Sequence, residues 1–156
     1  MKYNEMTASL LTRPYALYRD EGYLLQSLGA LVSIKATSEQ TGGVFNLFEA
    51  SCPPDYAMPL HIHYVEDVAV YVLEGALTFF WGSEQKEAVA GSYLFQPRGT
   101  PHGFRVEGGT PARILYLTIP AGLDRFLIEQ EQPAQNDEPE TAAARYKIEI
   151  LGPFTA

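Results

Sequence analysis

The middle of the chain is a succession of short β-branched and aromatic runs punctuated by glycine and proline, a pattern that few folds accommodate. The runs are Ala30–Ala36, 44–50, 68–73, Ala76–Trp81, Tyr93–Gln96 and Ala112–Ile119. Many short strands at this spacing predict an all-β sandwich or barrel. Between them sit Thr41-Gly42-Gly43, Glu74-Gly75, Gly82-Ser83 and Gly108-Gly109, where a tight reversal needs backbone angles that glycine adopts without steric cost.

Beyond Pro120 the period changes. Leu123, Phe126, Leu127 and Gln130 fall at i, i+3, i+4 and i+7, the one-sided stripe of a short amphipathic helix capping the barrel. Residues 133–140 read as a solvated linker and 141–146 as a second short helix. Residues 148–151 form an apolar segment that must bury against the chain's own barrel or a partner subunit. The expected organisation is an N-terminal extension (1–29), a barrel (30–120) and a C-terminal helix, linker and tail (121–156). A chain of 156 residues with no internal repeat suits one such core.

The net charge of −8, with 11 Lys plus Arg and no basic cluster, excludes nucleic acid and anionic membrane as partners. No apolar run approaches the ~20 residues that span a bilayer, and the first residues lack a secretory h-region, so the expected compartment is the cytoplasm. Cys52 is the only cysteine; it precludes an intrachain disulfide or cysteine zinc site and reads as a small buried apolar residue. Ser83 and Ser92 have no neighbouring His and Asp, which argues against a serine hydrolase.

The three histidines carry the chemistry. His61 and His63, in Pro59-Leu60-His61-Ile62-His63, point to one face if the segment is a strand. Imidazole is a common ligand for first-row transition ions, and His102 is the remaining candidate for a third. His61, His63 and Gly75, followed by Gly91, Pro97, Gly99 and His102, reproduce H-x-H…G and G-x5-P-x-G-x2-H. In this two-part signature the chain resembles the cupin family, and from about Ala30 onward it is similar to small cupins described as quercetin-dioxygenase-like. The resemblance implies a double-stranded β-helix, a jelly-roll barrel, with a divalent metal (iron, nickel, zinc, manganese or copper) held by His61, His63 and His102.

The chain departs from that pattern twice. Val106 replaces the final asparagine of the second motif, and Val68 stands where the family's first motif supplies a glutamate ligand. Three readings follow. A three-histidine site remains, as in cupins that resemble thiol dioxygenases and diketone-cleaving dioxygenases. Alternatively, Glu66 or Asp67 compensates, although the preceding turn is expected to aim both carboxylates at solvent. In the third, the pocket is metal-free and its histidines bind an organic ligand. With Val68 inward, Val70 and Val72 follow by alternation and Phe104 shares a face with His102, so the expected pocket is apolar and suits a small hydrophobic or phenolic compound. Arg98 fits a structural salt bridge or an acid contact. Apolar residues on both faces of 68–73 predict cover from an N-terminal strand or a second subunit, hence a homodimer. The implied activity is dioxygenase-like oxidoreduction, with a non-catalytic small-molecule-binding or sensor module as the alternative.

Overall fold

The computed structural model describes residues 13–131 and 138–152. Alternation of buried and part-exposed residues builds its strands: in β3 (Asn46–Cys52), Asn46, Phe48, Ala50 and Cys52 are buried while Leu47, Glu49 and Ser51 are not. The other strands are β1 (Tyr23–Ser27), β2 (Ala30–Ala36), β4 (Ala57–His63), β5 (Asp67–Glu74), β6 (Ala76–Trp81), β7 (Glu84–Val89), β8 (Tyr93–Gln96), β9 (His102–Glu107), β10 (Ala112–Ile119) and β11 (Ile148–Gly152). All pairs are antiparallel, in a six-stranded sheet ordered β1-β2-β3-β10-β5-β8 and a five-stranded sheet ordered β11-β4-β9-β6-β7. Their inner faces enclose Ile34, Phe48, Val72, Leu77, Phe79, Val106 and Ile114. This is the all-β double-stranded β-helix that the sequence predicts.

Two segments outside 30–120 join the sheets. The expected N-terminal extension supplies β1, which pairs with β2 at the edge farthest from β8. Among the described residues, β1 therefore does not cover the outer face of β5. The apolar tail forms β11, which pairs with the histidine strand of its own barrel, Ile148 opposite His63 and Ile150 opposite His61.

Among the described residues, three short helices accompany the sheets. The sequence shows only a turn at 41–43, but one helical turn, α1 (Ser38–Thr41), precedes it and is fixed by a capping box. The Gln40 amide N–H donates to Thr37 Oγ1 at 3.2 Å, and the Thr37 amide N–H donates to Gln40 Oε1 at 2.9 Å. The predicted amphipathic helix is α2 (Leu123–Glu131). Its buried Asp124 carboxylate accepts from the Ser38 amide at 2.8 Å and from the Ser38 hydroxyl at 2.5 Å, which ties α2 to α1. The third, α3 (Pro139–Arg145), begins inside the expected linker; proline suits the first turn of a helix because its missing N–H would have no partner there. Residues 133–137 of that linker lie outside the described residues.

Gly75, between β5 and β6, shows why the first motif ends in glycine. Its φ is +87°, and a Cβ there would lie 2.7 Å from the Pro111 carbonyl oxygen and 2.8 Å from Ala112 Cα. No side chain fits that approach.

Candidate metal centre

β4 carries His61 and His63 two residues apart, and β9 brings His102 directly opposite His61 in the ladder. The ring centroids are 4.3 Å apart for His61–His102, 5.0 Å for His61–His63 and 5.5 Å for His63–His102. One ring nitrogen from each lies within 4.8 Å of the other two, and this is the one such His/Cys/Asp/Glu cluster among the described residues.

Each imidazole is held from behind. His61 Nδ1 lies 2.7 Å from the Pro59 carbonyl and His102 Nδ1 lies 2.9 Å from the Thr100 carbonyl. A carbonyl oxygen only accepts, so both Nδ1 atoms carry the proton and the Nε2 lone pairs are left free. His63 Nδ1 faces Glu66 Oε2 at 3.3 Å, both side chains being buried, which gives the same tautomer. Fixing one ring nitrogen so that the other is presented as a ligand is how proteins orient metal-binding histidines. Burial, reinforced by the neighbouring His102 and His63, pushes His61 down to about 3. Burial pushes His102 down to about 4, against the pull of the Thr100 carbonyl. At neutral pH both are uncharged, as metal coordination requires.

Glu66 corrects one expectation. Its carboxylate is aimed inward, behind His63, and stands as a hydrogen-bond partner outside the group of ligand atoms. Asp67 does face outward, where Arg98 donates to its Oδ1 from the backbone amide at 2.9 Å and from Nε at 3.1 Å. Arg98 is thus engaged in a structural ion pair.

The histidines open onto a cavity of about 270 Å3 lined by both sheets and by α2. Val68, Val70 and Phe104 line it, and Phe104 packs against Phe79 and Tyr56 at centroid distances of 5.3 and 5.8 Å. Val72 is a correction: it is fully buried, but in the core beside the cavity and not in its wall. Among the described residues, no Asp, Glu, Lys or Arg lines it. Tyr56, Tyr116 and Gln96 also line it and were not singled out from the sequence. Burial raises both tyrosine hydroxyls well above their ordinary range, so they stay protonated. Gln96 was legible in principle, because with Tyr93 and Phe95 outward, alternation turns Leu94 and Gln96 inward.

A double-stranded β-helix whose three clustered imidazoles line an apolar cavity defines a class of barrel proteins with a donor set that could hold a metal. Residues 48–119, just under half of the chain, match the cupin domain model, and the fold with its two-part histidine motif supports a small cupin-superfamily protein. Over 103 residues, 66% of its length, it is 28% identical to quercetin 2,3-dioxygenase from Bacillus subtilis (strain 168), of which it spans 31%. Over 75 residues, 48% of its length, it is 32% identical to an uncharacterized protein from Methanocaldococcus jannaschii, of which it spans 60%. The solved structure of KdgF from Halomonas sp. aligns with a TM-score of 0.61 and 19% identity over 69% of this chain and 96% of that one, a likeness of fold.

Proposed function

We propose that His61, His63 and His102 hold one divalent first-row ion, and that the adjoining cavity presents a small hydrophobic or phenolic ligand to it for dioxygenase-like oxidoreduction. The observation that carries this reading is the triple arrangement of imidazoles with Nδ1 engaged and Nε2 free. Once bound, such an ion supplies Lewis acidity and, if redox-active, electron transfer. The chain's own residues do the rest. Pro59, Thr100 and Glu66 set the tautomers, Val68, Val70 and Phe104 exclude water, and the uncharged walls favour an apolar body over a sugar phosphate.

Quercetinase activity as such is not part of the proposal. Val68 cannot accept a proton where the family's glutamate can, and the Glu66 carboxylate is turned to His63. Val68 also favours a second reading, a binding or sensor module without metal, because three neutral ligands leave a divalent ion with its full charge. Titration of chelator-stripped protein with Zn2+ tests the primary reading: wild type is expected to take up one equivalent, and His102→Ala to lose it. Val68→Glu separates the two readings. A metal centre gains affinity on recovering a carboxylate, whereas a metal-free module only loses stability by burying an unpaired charge. A cytoplasmic homodimer belongs to the same proposal.

A further inference from the structure

We infer that Gln96 is the hydrogen-bond acceptor by which the cavity recognises a hydroxyl on an aromatic ligand, an inference that rests on the cavity-binding reading above. Gln96 ends β8 and is 1% exposed. Its Oε1 is buried with no hydrogen-bond partner among the described residues. A buried amide oxygen left unpaired has lost its hydration without compensation. The inward neighbours of Gln96, namely Leu94, Val68 and Val70, are aliphatic, and the buried hydroxyl of Thr118, on the far side of Val68, is not its partner.

Its place in the fold puts it at the histidine end. Gln96 is the direct cross-strand partner of Val68, whose methyl groups can donate nothing. The turn that follows is bound to the centre twice: the Gly99 amide donates to the His63 carbonyl at 2.8 Å, and the Thr100 carbonyl accepts from His102 Nδ1. Gln96 lines the same cavity as all three histidines, so the missing partner comes from the cavity's contents. An amide oxygen only accepts, which requires a donor on the ligand. Phe79, Phe104 and Tyr116 provide ring surfaces around it. An apolar cavity of about 150 Å3 holds one benzene, so the 270 Å3 here suits a substituted single ring.

The test compares para-cresol with para-methylanisole, the same ring without the donor, on full-length Zn2+-loaded wild type and Gln96→Leu. Wild type is expected to bind para-cresol roughly tenfold more tightly than the ether. In Gln96→Leu the ratio should fall to near one with zinc content unchanged. Independently of whether that variant folds, the Gln96 side-chain amide resonances of isotope-labelled wild type should move with para-cresol and not with the ether. A wild-type ratio near one, a ratio that survives in folded Gln96→Leu, or unmoved amide resonances each overturn the inference while leaving the cavity reading intact. If neither arene binds wild type, the cavity reading falls and this inference with it.

Discussion

Each histidine is defined by what stands behind it, and this sets the pH response of the metal-free protein. His61 and His102 titrate in the fold near 3 and 4, below the ordinary 6.5. The unfolded chain therefore binds more protons than the folded one in the window between. Their contribution to stability is complete above about pH 6.5 and is lost as the pH falls toward those lowered values. The melting temperature of chelator-stripped protein should drop from about pH 7 to about pH 5, and drop less in His61→Gln. A pH-independent difference between the two proteins would contradict this. The His61, His63 and His102 trio was legible because its spacing falls within two short motifs. The inward turn of Glu66 was not: its partner His63 is only three residues away, but the path of the short turn between β4 and β5, which residue types alone do not fix, decides whether that carboxylate faces the imidazole or solvent.

Strands were readable where their chemistry alternates or is continuously apolar. Ala30–Ala36, Ala76–Trp81, Tyr93–Gln96 and Ala112–Ile119 occur with the bounds expected. β7, with the sequence EQKEAV, buries only Ala88 and so carries no periodic signal. α1 depends on its capping box and on Asp124, which lies far along the chain. The β5–β6 junction yields a mutational test. Gly75→Ala combines a positive φ with a backbone clash and should destabilise by about 2 kcal/mol or more. Gly91→Ala, at φ +92° with open space around its Cβ, should cost about 1 kcal/mol. Denaturant unfolding of the two variants decides it, and equal losses would mean that the Pro111–Ala112 approach is unimportant.

At the scale of the molecule, β8 leaves an aromatic edge on the outer face, with Tyr71, Tyr93 and Phe95 exposed by 46%, 65% and 47% and Tyr71 directly opposite Tyr93. β1 lies at the opposite edge of the sheet, and in the proposed homodimer a second copy is the expected cover. Light scattering should return twice the mass of the 17.3 kDa chain, and a strict monomer would remove the proposal. No helix among the described residues is long and apolar enough to cross a membrane. The central claim is that the three imidazoles hold a metal, and it is tested most directly by elemental analysis of protein purified without a polyhistidine tag, beside His61→Ala and His102→Ala. The account predicts near-stoichiometric metal in wild type and its loss in both variants; protein that stays metal-free even after reconstitution would contradict it.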